Sequence, residues 1–358
     1  MSTMTTMLKR SFLAKAINTS ARFISTANKG NYAFAFDIDG VLIKGKRRIP
    51  EATRALKQLN GDNSANRKVP FVLLTNGGGM TEEEKANQIS EIVGVKIDPK
   101  CVILSHSPMQ NLAEKYRNKR VLVVGGTGRN CYNVATKYGF QDVVIPHDVM
   151  HWNNSVWPHT ETVSDLSVLT SSHPIEFSQH PIHAVMVFHD SFEWGRDLQI
   201  MLDALCSKGG VLGTRKEDYS VQDVPLYWSN NDLIWSTDFP APRLGQGAFK
   251  HALEGLYRTL TGHELKSTSF GKPHAATYKF AEQIFNTIAG EQGRNVYAVG
   301  DNPAADIKGA NDYGWTSILV RTGVFTGKDN SPDYPAKMVC ENVEEAVEKV
   351  IAKEEGKL

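Results

Sequence analysis

No stretch of this 358-residue chain approaches the roughly 18 consecutive apolar residues that a membrane-spanning helix needs. Cysteine is scarce. Cys101, Cys131, Cys206 and Cys340 lie far apart and form no CxxC pair, which argues against a thiolate zinc site. Buried free thiols in a reducing compartment are the expected state. Excess charge is also missing: 40 basic and 39 acidic residues leave a net charge of +1. No nucleic-acid partner is expected on that balance. Internal repeats and low-complexity tracts are absent. What remains, 41% hydrophobic and 22% charged residues, is the composition of a folded globular protein. Its length suits two domains.

Acidic residues are absent from residues 1–30, which carry Lys9, Arg10, Lys15, Arg22 and Lys29 together with nine Ser or Thr. A basic, hydroxyl-rich, acid-free start has the character of a mitochondrial transit peptide. Residues 1–30 are therefore expected to direct import, and the mitochondrial matrix is the expected location. Without them the balance is 35 basic to 39 acidic residues, or −4.

Beyond residue 30, short apolar runs end in turn residues. Tyr32–Phe36 runs into Asp37, Val69–Leu74 into Thr75, Asn295–Val299 into Gly300, and Thr316–Val320 into Arg321. Such runs read as strands buried on both faces of a parallel sheet. Helical periodicity occupies Glu51–Leu59, Glu82–Val93, Ala275–Ala289 and Asn342–Ile351. The alternation predicts a doubly wound, Rossmann-like α/β domain. A second small α/β unit is expected within it, with strands at Val121–Val124, Asp142–Ile145, Ala184–Phe188 and Val211–Gly213 and helices at Cys131–Tyr138 and Leu198–Lys208. His151–Gln179 reads as a long loop. The expected division is 31–105 and 229–358 for the main domain and 106–228 for the insertion.

In open α/β sheets, ligands bind beyond the carboxyl ends of the strands. Asp37 and Asp39 follow the first run. Carboxylates at i and i+2 of an extended chain point the same way and call for a compensating cation. Hard oxygen ligands suit Mg²⁺, often beside a phosphate. Thr75 and Asn76 offer a hydroxyl and an amide to a phosphate oxygen. Lys272, in Gly-Lys-Pro-His, supplies a point charge. Asp301 follows the third run directly, and Asp306 is expected on the next helix.

This ordered set, DIDGV, LLTNGGG, GKPH and GDNPAADIKGA, resembles the haloacid dehalogenase superfamily of phosphohydrolases. The insertion between Asn76 and Lys272 looks like that family's class IIA cap. The likeness is strongest to the mitochondrial branch named for the cat eye syndrome critical region. The resemblance implies that Asp37 is the nucleophile and Asp39 the general acid and base. It implies Mg²⁺ held by Asp37, the carbonyl of Asp39 and Asp301, with Asp306 behind them. Thr75, the backbone of Asn76 and Lys272 would bind phosphate. A small-molecule phosphate ester is the implied substrate, with phosphorylated glycerol compounds the first candidates. A homodimer through the cap is a candidate assembly. A phosphotransferase or phosphomutase using the same intermediate, and a non-catalytic scaffold, stand as alternatives.

Other features read more plainly. Val123–Gly128 lacks a complete nucleotide-loop pattern and reads as a tight turn. Eight of the eleven histidines fall between His106 and His189, and only His147 and His151 have i, i+4 spacing. Trp152, Trp157 and Trp228 suit packing better than a substrate pocket. Arg243 is a candidate phosphate contact.

Overall fold

The computed structural model describes residues 31–357, apart from 65, 160–164, 172, 236–238, 240, 242 and 292. The expected targeting segment, residues 1–30, lies outside the described residues. In chain order the main elements are β1 (Tyr32–Phe36), α1 (Pro50–Leu59), β2 (Phe71–Leu74), α2 (Glu82–Val93) and β3 (Val102–Ile103). Next come β4 (Val121–Val124), α3 (Asn130–Lys137), β5 (Val143–Val144), α4 (Pro146–Trp152), β6 (Ala184–Val187), α5 (Trp194–Leu205), β7 (Leu226–Trp228), α6 (Gln246–Thr261) and β8 (Thr268–Ser269). The chain closes with α7 (Ala275–Ala289), β9 (Asn295–Gly300), α8 (Lys308–Tyr313), β10 (Thr316–Val320), β11 (Met338–Cys340) and α9 (Val343–Glu354).

Two parallel sheets result, a six-stranded one ordered β11-β10-β9-β1-β2-β3 and a five-stranded one ordered β8-β7-β6-β4-β5. The alternation of β1 explains the layering. Tyr32, Phe34 and Phe36 face a cluster shared with α1, α2 and α9. Ala33 and Ala35 turn the other way, where their small size admits Tyr278, Phe280 and Phe285 of α7 and Trp315. The second sheet buries Val124, Val187 and Trp228 against α5 and α6 on one face. Its other face buries Val121, Val123 and Met186 against α3. Both sheets are covered on both sides, as parallel sheets require.

The insertion is larger than the sequence reading gave. Residues 229–268 were expected in the main domain, yet α6 contributes Phe249, Leu253 and Tyr257 to the second core, and β8 pairs with β7. A two-residue edge strand carries no periodicity that marks it in advance. The expected strand Val211–Gly213 is instead a turn, opened by Gly210 at φ +90° and closed by Gly213 at φ +81°. The strand of that position is β7. The segment read as a long loop begins with the end of α4 and continues through short 3₁₀ turns at Asn154–Val156 and Leu166–Val168. Phe177 from the same stretch is fully buried.

His147 and His151 therefore lie on a helix, α4. The Arg196 guanidinium lies 3.0 Å from His147 Nε2, and burial followed by that cation pushes the imidazole down to about 4. A ring nitrogen committed to Arg196 is not presented to a metal. Trp228 packs edge-on to Phe249 at 6.0 Å, and Trp152 meets Phe177 at 5.6 Å. The four cysteines are free. Burial raises the thiols of Cys101 and Cys340 to about 11 and that of Cys131 to about 12, which keeps them unreactive.

Trp228 has no exposed surface, whereas Phe192 is 63% exposed. Trp228→Ala is expected to destabilise the protein by about 3–5 kcal/mol in urea unfolding, and Phe192→Ala by less than about 0.5 kcal/mol.

Candidate active site

The register of the first sheet brings the motifs together. Phe36 pairs with Val299 on one side and Leu73 on the other. Asp37, Asp301 and Thr75 follow these strands at the same sheet end. The Asp37 N–H donates to the Val299 carbonyl at 2.9 Å, carrying the ladder one residue past the strand. Asp37, Asp301 and Asp306 each offer an oxygen, and these oxygens lie within 4.8 Å of one another. Among the described residues no other group of three His, Cys, Asp or Glu is arranged this way.

Lys272 ties the acids together. Its Nζ lies 2.8 Å from Asp37 Oδ1 and 2.6 Å from Asp306 Oδ1, and the residue is almost wholly buried. Burial works against the ammonium charge, but Asp306 and Asp37 outweigh it and hold Lys272 above the usual lysine value. Lys272 does not follow a strand of the first sheet. It follows β8 of the second sheet, on the segment returning to α7.

Asn76 fixes that segment. Its Oδ1 accepts from the Lys272 N–H at 2.7 Å, and its Nδ2 donates to the Lys272 carbonyl at 3.0 Å and to both Asp232 oxygens at 3.1 Å. The side-chain amide expected to hold phosphate is thus committed to backbone and to Asp232. Thr75 is buried, and its Oγ1 accepts from the Gly77 N–H at 3.0 Å. Asp232 was not singled out from the sequence. It belongs to the polar run Ser229–Asp232 directly after β7, so the strand-end rule finds it once β7 is recognised.

Asp306 sits on a π-helical turn, Pro303–Ile307, rather than within the following α-helix. Its Oδ2 accepts from the N–H groups of Asp301 and Asn302 at 3.2 and 3.0 Å. Asp301 Oδ2 accepts from the Val324 N–H at 2.6 Å. A Cβ on Gly323 would lie 1.9 Å from that oxygen, and one on Gly40 2.3 Å. Only glycine leaves room for the carboxylate at either point, and Gly40 also turns at φ +81°.

Asp39 stands apart. The expected side-by-side pairing with Asp37 fails because the chain leaves the extended conformation after Phe36 and bends through Gly40, whose N–H donates to Ile43 at 2.7 Å. The residue is exposed and lies outside the carboxylate cluster. The surrounding walls still withdraw enough water to raise it above the usual carboxylate range, against the pull of Lys85 and Lys272.

Burial and neighbouring acids raise Asp37 well above the ordinary value despite Lys272. Burial, then Asp306, raises Asp301 to about 7. Crowded hard-oxygen donors with a surplus of negative charge, cradled by two glycines, fit a divalent cation such as Mg²⁺.

The loop after Asn76 also meets the second unit. A Cβ on Gly78 would strike the His106 ring at 2.8 Å, and one on Gly79 the His189 ring at 2.4 Å. The Gly79 N–H donates to His106 Nε2 at 3.3 Å, and the Tyr138 hydroxyl lies 2.8 Å from the other ring nitrogen. Burial holds the His106 imidazole down to about 3, so it is neutral and structural. Gly77-Gly78-Gly79 is therefore a close-approach surface. Gly125 of the Val123–Gly128 turn is another, facing the His189 carbonyl.

Comparisons with known proteins agree with this geometry. Residues 34–141 match the haloacid dehalogenase-like hydrolase family model, and residues 269–346 match a second model described as HAD-hydrolase-like. A mitochondrial hydrolase of Saccharomyces cerevisiae is 38% identical over 93% of this chain and 98% of its own length. A Schizosaccharomyces pombe protein named as a cardiolipin synthase and mitochondrial hydrolase fusion is 43% identical over 89% of this chain. This chain spans 53% of that relative's length. The chain belongs to the haloacid dehalogenase-like hydrolases. The solved structure of a Pyrococcus horikoshii protein shares the fold, with a TM-score of 0.63 at 19% identity over 89% of this chain and 99% of its own. So does a Mycobacterium tuberculosis glycerol phosphate phosphatase, with a TM-score of 0.58 at 19% identity over 88% and 76%.

Because Asp301 holds its proton up to about pH 7, the metal-free fold loses stability as the pH rises from the ordinary carboxylate range to about 7. A cation must displace that proton at lower pH. Apparent Mg²⁺ affinity is expected to weaken up to about tenfold per pH unit below 7. The thermal shift from a fixed Mg²⁺ concentration should be larger at pH 8 than at pH 6, and equal shifts would detach Asp301 from the metal. Gly323→Ala should abolish the shift at both pH values, because the new methyl occupies the position of the Asp301 carboxylate.

Proposed function

We propose that the protein is a Mg²⁺-dependent phosphomonoester hydrolase of the mitochondrial matrix, working through an aspartyl-phosphate on Asp37. The observation that carries this reading is the buried Lys272 bridge, with Nζ 2.8 Å from Asp37 and 2.6 Å from Asp306, beside Asp301. A structural ion pair needs one acid, whereas this lysine is shared between two in a cluster of three.

The residues divide the work. Lys272 fixes the Asp37 carboxylate and favours its ionised, nucleophilic form. Thr75, the backbone at Asn76 and the Lys272 ammonium receive the phosphoryl oxygens. Mg²⁺, when bound through Asp37, the Asp39 carbonyl and Asp301, neutralises charge on the phosphoryl group. Asp306 orients Lys272 and, through two backbone N–H groups, the Asp301 turn. Asp39, exposed and with a raised affinity for protons, gives its proton to the leaving alcohol. It then takes one from the water that hydrolyses the aspartyl-phosphate.

A glycerol-phosphate or glycerophospholipid-pathway ester is the proposed substrate. The cardiolipin synthase fused to the fission-yeast relative and the glycerol phosphate phosphatase that shares the fold support that choice. The names of both yeast relatives support the mitochondrial location.

Phosphate release from a panel of esters, with Mg²⁺ and with EDTA, tests the reading. Asp37→Asn should abolish turnover. Asp39→Asn should lower turnover of a poor leaving group at least ~100-fold, since acid–base help serves two steps. It should lose less on the first step with a nitrophenyl ester, and phosphoenzyme should accumulate. Wild-type turnover of glycerol phosphate by Asp39→Asn would remove Asp39 from the mechanism.

A further inference from the structure

One segment touches both Asp301 and the turn that carries Asp39. It runs from Arg321 to Phe325, directly after β10. The register of the sheet delivers it there. Gly300 pairs with Leu319, so the residues just past β9 and β10 lie side by side. The Val324 N–H donates to Asp301 Oδ2 at 2.6 Å, and the Phe325 N–H donates to the Asp301 carbonyl at 3.2 Å. The Thr322 hydroxyl reaches the other way and donates to the Gly40 carbonyl, 282 residues away in sequence. Between these contacts the backbones pack closely: a Cβ on Gly40 would lie 2.9 Å from the Gly323 Cα. The Arg321 guanidinium anchors the start of the segment on Glu341 and on the Lys328 carbonyl.

Gly40 is where such a contact matters. It is buried and stands at φ +81°, with no Cβ to restrict rotation about its own bonds. The Asp39–Gly40 peptide is fixed at its N–H, which donates to the Ile43 carbonyl at 2.7 Å. The following peptide is held more loosely there, since the Val41 N–H reaches the Ile38 carbonyl at a long 3.4 Å. Its carbonyl is what the Thr322 hydroxyl holds. A buried carbonyl that loses its donor is unfavourable, and rotation at a glycine is the least hindered relief. Asp39 stands immediately before this glycine, so a shift of the turn moves Asp39 relative to Asp301.

We propose that Thr322 is a positioning residue for the Mg²⁺ site: its hydroxyl sets the place of the Asp39 carbonyl relative to the Asp301 carboxylate, and through it the affinity for the ion. The proposal rests on the Mg²⁺ reading of the acid cluster. Thr322 itself touches neither cation nor substrate. It acts through Gly40, while Val324 and Phe325 act on Asp301, so one short stretch of chain spaces both sides of the cradle. Groups that orient metal ligands in this way typically change affinity by about 10–100-fold when they are removed. A hydroxyl that only closed a turn would change the stability of the metal-free fold and leave ion affinity alone.

The test compares the full chain with three variants. Thr322→Val and Thr322→Ala lose the donor, the first with the shape nearly kept, and Thr322→Ser keeps the donor. Mg²⁺ is titrated at pH 8 while the melting temperature is followed, and the metal-free melting temperature is measured alongside. A cooperative melt shows that each variant is folded. The half-saturating Mg²⁺ concentration should rise at least ~10-fold in Thr322→Val and Thr322→Ala, and stay within about threefold of wild type in Thr322→Ser. Ca²⁺ accepts irregular coordination and Mg²⁺ does not, so the donor-less variants should lose less affinity for Ca²⁺ than for Mg²⁺. Wild-type Mg²⁺ half-saturation in Thr322→Val and Thr322→Ala would overturn the proposal, even if their metal-free melting temperatures fell. An equal loss in Thr322→Ser would overturn it too, as would equal losses for the two ions. A wild type whose melting temperature responds to neither ion would overturn the metal reading itself, and the proposal with it.

Discussion

A buried ammonium shared by two carboxylates governs this structure. Lys272 is taken almost wholly out of water, and Asp37 and Asp306 are the ion-pair partners that compensate its charge. Breaking such a pair leaves an uncompensated buried ion, at about 3–5 kcal/mol. The lysine must therefore arrive at one place, and its backbone is clamped there from both sides by Asn76. Because Lys272 stands on the segment returning from the second sheet, the constraint that orders the acids also fixes where the insertion rejoins the core. Asp232 extends the clamp to the end of β7, so both ends of that return are tied to the loop after β2.

Charge imbalance at the same point explains the neighbourhood of Asp301. Asp37, Asp301 and Asp306 crowd within one ion's reach, and one buried lysine does not neutralise them. The raised proton affinities of Asp37 and Asp301 express that deficit. Gly40 and Gly323 let backbone approach Asp301 as closely as a ligand cradle demands. Asp39 escapes the cluster because the chain bends before it.

The insertion contributes walls. His106 and His189 press on Gly78 and Gly79, and Tyr138 and Glu82 close a hydrogen-bonded chain behind His106. Side chains at either glycine would push the two units apart.

Much of this was legible in the chain itself. The apolar runs before Asp37, Thr75 and Asp301 specify strands buried on both faces, and a parallel sheet sends its strand ends to one side. Fold class and the identity of the acids followed from those local patterns. What local pattern does not hold is pairing between distant segments. The edge strands β3, β8 and β11 have two or three residues each and take their conformation from a neighbour, so they were invisible in advance. The limit of the insertion was misplaced for that reason. The commitment of the Asn76 amide to Lys272 and Asp232, 196 and 156 residues away, could not be read from a turn sequence. Sequence alone determined which groups stand at the strand ends, because burial and alternation are local. Tertiary structure decided which of them touch, because a buried charge is compensated only by partners that the fold carries to it.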